Sequence, residues 1–293
     1  MAGRTRKIIS AVMAALMIMT AGGCGSSNKD IPSSADNSQY ISETKDNGNV
    51  TDGKEYDIDN GGLPYDEETV YNQLFDINNK VEIDVDISDD ELAKMQSDYN
   101  RYDNMGSKSP IYRKCDLKIS ITSDGVKNTY IIRNTGIRMK GNTSRTAFYD
   151  SNSGVYSLIH FKVDFTETFD DEQYYGGDSD YDLDIDKEKQ QNRTFATLDS
   201  MEIKWNQTSD STYVREYYTC EMYRDFGILA QRTNLASLNL GNVHEGIFKI
   251  YEPVDKKFIK RYVAKEDCGG DLYKCGWTRN GATFLPNVSY GVE

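Results

Sequence analysis

The sequence predicts an α+β domain in which one helix packs on an antiparallel sheet. Two observations predict this class. Short segments that alternate apolar with polar residues, such as VEIDVDI at 81–87 and LIHFKVDF at 158–165, have the pattern of half-buried strands. A longer segment, 210–227, has helical spacing instead and ends at Gly227, a residue that favours helix termination.

The strand pattern recurs along the chain, over 81–87, 115–122, 128–140, 158–165, 198–205, 234–240 and 245–251. Two shorter helices are predicted from their capping residues. Ser88, with Glu91 three positions later, forms a capping box that begins a helix after the first strand. Pro253 ends the last strand because it has no N–H for the sheet, and Asp255 then caps a helix over 256–263.

The N-terminal residues have the composition of a secretory signal. Basic residues precede an apolar run from Ile8 to Met19, and small residues stand directly before Cys24. This pattern resembles a bacterial lipoprotein signal, apart from Ala21, where leucine is commoner. We therefore predict a lipoprotein signal peptide over 1–24, with a lipid on Cys24 that anchors the chain to the extracytoplasmic face of the cell membrane. An ordinary signal peptide with a chance cysteine is the alternative.

Residues 25–70 are predicted to be a flexible linker. Up to about Gly62 this segment is rich in Ser, Asn, Asp and Gly and has almost no large apolar side chains. Such a composition buries too little surface to offset the entropy lost on ordering. The folded domain is therefore expected over 71–293.

Charge and cysteine content exclude two classes of function. The net charge of −13 and the isoelectric point of about 4.7 argue against nucleic-acid binding. With two histidines and no CxxC spacing, a zinc site is not predicted, and no metal ligands are assigned. Cys115 and Cys220 are interpreted as small core residues. Outside the cell, Cys268 and Cys275 could form a disulfide.

The segment 170–186 is acidic and rich in Gly and Tyr. Asp178, Asp180 and Asp182 have the spacing of a calcium-binding loop, but Leu183 and Lys189 stand where such a loop needs Gly and Glu. We therefore interpret the segment as a solvated acidic loop.

The long helix carries one acid on its apolar side. The apolar stripe consists of Val214, Tyr217, Tyr218 and Met222. Glu221 falls near the middle of this stripe, whereas Glu216 projects from the opposite, solvated side. An inward carboxylate needs a cationic partner. Lys162, on the polar side of its strand, is one candidate partner, and a local pair with Arg224 is the alternative.

The order of elements is that of a protein-kinase small lobe: strands, a strand with a lysine, a helix with a glutamate, two more strands, then a link into a helix. In that architecture the lysine holds the α- and β-phosphates of ATP and the glutamate holds the lysine. Glu252 and Pro253 would then form a hinge along the adenine, and only the start of a large lobe would follow. Many α+β domains share this order.

Four segments are more specific than the order of elements. They are GIRMKGNTSR at 136–145, FKVDF at 161–165, DSTYVREYYTCEMYRDFGI at 210–228 and EGIFKIYEPVDKKFIKRYV at 245–263. Together they resemble four successive motifs of the CotH family, the spore-coat-protein-H-like atypical protein kinases. The resemblance implies transfer of phosphate from ATP, with Mg²⁺, to Ser or Thr of a surface, secreted or spore-coat protein.

The resemblance also implies roles for individual residues. Arg138, Lys140 and Arg145 around the turn, Lys162 on its strand and Glu252 at the hinge would contact the nucleotide. Lys162 and Glu221 would form the catalytic pair. Surface solvation is the alternative for Arg138 and Arg145.

The C-terminal segment departs from the family pattern. Residues 264–293 offer no aspartate that can be assigned as catalytic base or Mg²⁺ ligand. We therefore expect a chain that is C-terminally incomplete and inactive as it stands. A non-catalytic, lipid-anchored surface binding module with a kinase-like fold is the alternative function.

Overall fold

The computed structural model describes residues 50–59, 64–141, 145–150, 155–206, 210–241, 243–270, 272, 277–278 and 281–282. They all belong to one unit, Gly48–Glu293. Cys24, Cys275 and the centre of the GNTSR turn, 142–144, lie outside the described residues, as do the signal peptide and most of the linker. Among the described residues, no helix has the length and apolar character needed to cross a bilayer.

The architecture is α+β, with a large sheet and few helices, as the sequence predicts. The strands are β1 Thr51–Asp57, β2 Lys80–Asp86, β3 Arg113–Ser123, β4 Val126–Lys140, β5 Tyr149–Asp150, β6 Val155–Tyr156, β7 His160–Asp164, β8 Ser200–Trp205, β9 Thr233–Leu240, β10 Val243–Tyr251, β11 Trp277–Thr278 and β12 Gly281–Ala282. The helices are α1 Glu67–Leu74, α2 Asp89–Asp103, α3 Glu172–Tyr175, α4 Lys187–Gln191, α5 Arg215–Asp225 and α6 Lys256–Tyr262, with 3₁₀ turns at Ser179–Tyr181 and Lys265–Asp267.

The main sheet closes on itself. Its eight strands follow the order β1-β4-β3-β2-β9-β10-β8-β7, and β7 also pairs with β4. This closure is possible because β4 is long: its first half pairs with β1 and its last residues pair with β7 on the same side. The β1–β4 and β2–β9 pairs are parallel, so the sheet is not purely antiparallel as predicted. The strands of the closed part have a partner on both sides, which removes exposed edges.

The apolar residues of the alternating strands face the interior of the closed sheet. Ile83, Ile119, Val163, Ile203 and Ile250 are all fully or almost fully buried there. Alternation therefore determines which side chains remain on the outer surface.

Helix α2 begins as the sequence predicts, because the Glu91 N–H donates to the Ser88 hydroxyl at 3.2 Å.

The folded part begins earlier than predicted. Strand β1, within the segment assigned to the linker, pairs with β4, and α1 begins at Glu67. Tyr56 in β1 is buried, and its ring stacks on Tyr130 with centroids 5.1 Å apart. The composition did not reveal β1 because most of its side chains are exposed and backbone hydrogen bonds to β4 hold it.

Helix α5 also differs from the prediction. None of its residues is buried, and Tyr218 on the predicted inward stripe is 62% exposed. The helix begins at Arg215 rather than near Asp210, because the Asp210 carboxylate accepts hydrogen bonds from the Thr212 and Arg215 N–H groups at 3.1 Å and so shapes a turn before it. Cys220 on this helix is half-buried, whereas Cys115 is buried as predicted.

The acidic segment 170–186 is more ordered than a solvated loop. Phe169, Tyr175 and Tyr181 are buried together in a small aromatic cluster beside the sheet. Two of its acids take part in this order, since Asp178 and Asp180 both lie 2.9 Å from the Lys94 ammonium. The acidic composition did not indicate the buried aromatic residues that order the segment, Phe169 just before it and Tyr175 and Tyr181 within it.

Candidate functional site

Four adjacent strands, β4, β7, β8 and β10, present two rows of polar side chains on the outer side of the sheet. In strand register the first row is Arg138, Lys162, Glu202 and Tyr251, and the second is Lys140, His160, Lys204 and Lys249. The rows arise because the intervening residues, such as Phe161 and Ile203, point inward. We call these two rows the cationic face, since five of the eight residues are Lys or Arg.

Glu202 lies among the cations of this face. Its carboxylate is paired with the Lys140 ammonium and lies 3.3 Å from Lys204 Nζ. Burial alone would raise the pKa of Glu202, but Lys204 and Lys140 outweigh it and hold that pKa below its ordinary value. Burial lowers the pKa of Lys140, in spite of the opposing effect of Glu202. Glu202 is therefore charged and neutralises part of the face.

Lys162 has the weakest ion pair on this face. Its ammonium lies 3.8 Å from Asp164 and 6.0 Å from the centre of the Tyr112 ring. The predicted pair with Glu221 is not formed, because Glu221 pairs with Arg224 one turn along the exposed helix α5. The alternative that the sequence left open, a local Glu221–Arg224 pair, is the arrangement observed.

A different acid of helix α5 meets the sheet. The Glu216 carboxylate accepts a hydrogen bond from the Lys249 ammonium at 2.7 Å and another from the Tyr251 hydroxyl. Lys249 is only 8% exposed and lies a further 3.7 Å from Asp210. Burial would raise the pKa of Glu216, but Lys249 and Tyr251 hold it below its ordinary value.

The aromatic stripe of the helix predicts an inward side opposite Glu216 and therefore places Glu216 in solvent. The signal that could have found this contact is Lys249 itself. It lies in the strand EGIFKIY, and a lysine that a helix covers requires an acid from that helix.

Glu252 is part of a buried ionic network rather than an exposed hinge contact. The residue is fully buried. Its carboxylate is paired with Arg261 and accepts hydrogen bonds from the Tyr262 hydroxyl at 3.1 Å and the Arg232 N–H at 3.2 Å. The Glu252 N–H in turn donates to the Arg232 carbonyl at 2.9 Å. The carboxylate of Glu252 is therefore occupied by protein partners, and the predicted hinge contact of this residue with a nucleotide stays a prediction.

The two predicted arginines turn toward the segment between α2 and β3. Arg145 donates to the Ser107 carbonyl at 2.6 Å, and Arg138 donates to the Ser109 carbonyl at 3.3 Å. The guanidinium of Arg138 also lies over the Tyr112 ring, 5.0 Å from its centre. Of the predicted nucleotide contacts, the structure thus brings Arg138, Lys140 and Lys162 together on one face.

The region that contains this face matches a known protein family. A family model described as CotH kinase protein matches residues 137–289, just over half of the chain. The chain belongs to the CotH kinase family. The matched CotH region begins near the end of β4 and includes β7, β8, α5, β9, β10 and α6, which supply or support nearly all of the cationic face. The family recognised from the sequence motifs is therefore confirmed. No curated protein matches the chain.

The cationic face of this CotH domain fits the phosphates of a nucleotide but does not fit Mg²⁺. Phosphate oxygens accept hydrogen bonds, and lysine ammonium groups donate them. The carboxylate of the face, Glu202, is already engaged by two lysines, and Glu216 of the neighbouring helix α5 is engaged by Lys249 and Tyr251. A Mg²⁺ ion needs open carboxylate or water ligands at octahedral positions.

Another acidic group of the described residues is also closed to a metal ion. Asp90, Glu91 and Asp180 converge within reach of one ion. The Lys94 ammonium already lies 2.9 to 3.1 Å from each of the three, and these acids raise its pKa even though burial opposes them. The Lys94 ammonium therefore occupies the position that a metal ion would need.

Proposed function

We propose that this CotH domain binds ATP through the cationic face and is the nucleotide-binding part of a kinase that transfers phosphate to Ser or Thr of a protein. The observation that carries the proposal is the register of the two rows, which places four lysines and one arginine on adjacent strands of a chain with net charge −13. Clustered cations on one surface of an acidic protein attract a polyanionic ligand. The family to which the chain belongs supports a kinase-like activity.

Lys162 is the residue best placed to bind a phosphate. Its side chain is 26% exposed, and its ion pair with Asp164, the only one it forms within the described part of the chain, is long, at 3.8 Å. Lys140 and Lys204 share Glu202 and add positive charge next to it. In this proposal Glu216, rather than Glu221, is the carboxylate of helix α5 that positions a lysine of the face, namely Lys249.

The finer architecture of a kinase-like small lobe belongs to the same proposal. It is supported by the succession β7, β8, α5, β9 and β10, followed by α6 after a short link. Asp255 caps α6, as predicted, by accepting hydrogen bonds from the Lys257 and Phe258 N–H groups. The link thus passes directly from the sheet into a helix.

Nucleotide binding tests the proposal. Thermal unfolding of the full chain is measured with and without ATP, for the wild type, Lys162→Met and a matched control, Lys118→Met. Lys118 is an exposed lysine on β3, away from the cationic face. ATP at 100 times its dissociation constant should stabilise the wild type and the control by about 2.7 kcal/mol, and Lys162→Met by much less. An unshifted, well-folded wild type, or an equal loss in both variants, contradicts the proposal.

A non-catalytic binding module is the second candidate, and one observation favours it. The helix acid that meets the sheet holds Lys249 and leaves Lys162 without a helix partner. Incubation of the full chain with ATP labelled on the γ-phosphate, together with a Ser/Thr-rich protein, separates the two candidates. Labelled protein supports the kinase, whereas a folded chain that neither binds ATP nor transfers phosphate supports the binding module.

We also propose that Cys24 is lipidated and that the chain is anchored on the extracytoplasmic side of the membrane. The proposal rests on the basic, apolar and small-residue succession before Cys24. Cells that express the wild type and Cys24→Ser are fed a labelled fatty acid. Label in the wild type alone is expected, and equal labelling of both contradicts the proposal.

A further inference from the structure

Tyr112 lies beside two cations in the first row of the cationic face. It is the last residue of the loop 104–112, which joins helix α2 to strand β3. The Arg138 guanidinium lies 5.0 Å from the centre of the Tyr112 ring, and the Lys162 ammonium lies 6.0 Å from it. At such distances the negative face of an aromatic ring attracts a cation. One ring therefore acts on two of the four residues of the row.

Arg138 and Lys162 need such a neighbour because they stand opposite each other. Strand register pairs them directly across β4 and β7. Like charges in opposite positions of a sheet repel each other. Within the described part of the chain, Arg138 forms no ion pair, and Lys162 forms only the long pair with Asp164. The Tyr112 ring attracts both cations and, unlike a carboxylate, leaves their full charge available to a polyanion.

Strand β4 leaves room for Tyr112. Gly136 lies two residues before Arg138 and therefore on the same side of the strand. A Cβ at Gly136 would lie 3.0 Å from the Tyr112 Cβ and 2.9 Å from the Glu167 Cβ. Carbon atoms pack best at about 3.5–4.0 Å, so a larger residue at position 136 would displace Tyr112 from the two cations.

The backbone of Tyr112 is held on both sides. The Tyr175 hydroxyl donates to the Tyr112 carbonyl at 3.0 Å, and Tyr175 is buried in the aromatic cluster beside the sheet. The next residue, Arg113, is also buried, and it donates to the two carboxylate oxygens of Asp98 in α2 at 2.8 and 2.9 Å. These bonds limit the positions that the Tyr112 ring can adopt.

The loop 104–112 also holds two arginines through its carbonyl groups. Arg138 donates to the Ser109 carbonyl at 3.3 Å, and Arg145 donates to the Ser107 carbonyl at 2.6 Å. The loop precedes the matched CotH region, 137–289. Cations inside that region are therefore held by a segment that lies outside it.

We infer that Tyr112 is a positioning residue of the cationic face, whose ring directs Arg138 and Lys162 toward the phosphates of ATP while the aromatic cluster holds Tyr112 in place. The inference rests on the proposed function, because it takes ATP to be the ligand of the face. Tyr112 acts through the two cations, since the negative face of its ring does not attract a phosphate.

Calorimetric titration of the full chain with ATP and with inorganic tripolyphosphate tests the inference. The two variants are Tyr112→Leu, which removes the ring, and Tyr112→Phe, which keeps it. Tyr174→Leu is the matched control, because Tyr174 packs against the same aromatic cluster, whereas Arg138 and Lys162 lie beside Tyr112. Thermal unfolding of each variant confirms that it is folded before titration.

Tyr112→Leu should weaken the binding of both ligands about tenfold. This change corresponds to about 1.4 kcal/mol, the size of two partly exposed cation–π contacts. Tyr112→Phe and Tyr174→Leu should stay within about twofold of the wild type, because both proteins keep the ring beside the cations. In an Arg138→Gln background, Tyr112→Leu should weaken binding only about threefold, since one of the two cations is then absent.

Three results overturn the inference and leave the proposed function intact. The first is a folded Tyr112→Leu protein that binds both ligands like the wild type. The second is an equal loss in Tyr112→Phe or in Tyr174→Leu, which would assign the effect to the hydroxyl or to general packing. The third is a loss of the same size in the Arg138→Gln background, which would show that Tyr112 does not act through Arg138.

Tyr175→Phe keeps the inference testable if Tyr112→Leu does not fold. It removes the hydrogen bond to the Tyr112 carbonyl but keeps the aromatic packing, and it should weaken the binding of both ligands about threefold. An unchanged affinity would then overturn the inference. A folded wild type that binds neither ATP nor tripolyphosphate overturns the proposed function and the inference together.

Discussion

Glu252 offers the sharpest test of the structure, because sequence and structure give it different roles. The sequence motif predicts a nucleotide contact at a hinge, whereas the structure buries the carboxylate fully against Arg261, Tyr262 and the Arg232 N–H. Glu252→Gln keeps the size of the side chain and removes its charge. Because the carboxylate is buried and paired, the substitution should affect stability far more than nucleotide binding.

The size of the effect follows from the partners. Removing one member of a buried ion pair costs about 3–5 kcal/mol. We expect the lower end, about 3 kcal/mol, because Arg261 is 16% exposed, keeps a hydrogen bond to Thr197 and stacks over the Tyr71 ring at 4.1 Å. For a folded part of this size, such a loss lowers the melting temperature by about 6–12 °C.

Urea unfolding followed by circular dichroism measures this difference, with Glu188→Gln as the control. Glu188 is exposed on α4, so its variant should stay within about 0.5 kcal/mol of the wild type. The double variant Glu252→Gln/Arg261→Gln should lose less than the sum of the two single variants, since the two residues are coupled. A Glu252→Gln protein as stable as the wild type, but unable to bind ATP, would refute this reasoning.

Three further substitutions test other parts of the structure by the free energy of unfolding. Glu216→Gln should cost about 1.5–3 kcal/mol because it leaves buried Lys249 without its closest acid. Glu221→Gln on the exposed helix should cost at most about 0.5 kcal/mol. Similar values for the two variants would contradict Glu216 as the acid that meets the sheet. Burial and then Lys204 depress the pKa of His160 from 6.5 to about 4, so the stability that neutral His160 contributes is present above pH 6.5 and is lost as the pH falls to 4. Relative to His160→Gln, the wild type should lose up to about 3 kcal/mol of unfolding free energy over that range. Parallel pH profiles of the two proteins would argue against a neutral histidine. Tyr56→Ala should cost about 3 kcal/mol of unfolding free energy, because the stacking of Tyr56 in the core is lost. A negligible effect would contradict the inclusion of β1 in the folded part of the chain.

Local patterns in the sequence predict much of the fold. The alternation in 81–87 and 158–165 is set by neighbouring residues and correctly predicts β2 and β7. The Ser88 cap depends on residues within one helical turn and is also confirmed. The family motifs are local in the same sense, which is why the CotH family was recognised from them.

The sequence did not predict the features that depend on distant pairing. Strand β1 has too few apolar residues for its pattern to show, and it exists because β4 supplies backbone partners more than 70 residues away. The closure of the sheet depends on the length of β4, which pairs with β1 and β7 on one side. The composition of the segments involved indicates neither pairing.

The sequence alone predicted that Lys162 projects from the polar side of its strand, since a strand alternates its side chains by geometry, and the same alternation applies to Lys140 and Lys249. Only the tertiary structure decided which acid each lysine meets. The rotation of helix α5 about its own axis brings Glu216 to Lys249 and leaves Glu221 with Arg224. That rotation depends on how the helix packs on the sheet, and an apolar stripe misleads where the aromatic side chains remain in solvent. The burial of Glu252 likewise arises because α6 returns over the end of β10 and brings Arg261 to it.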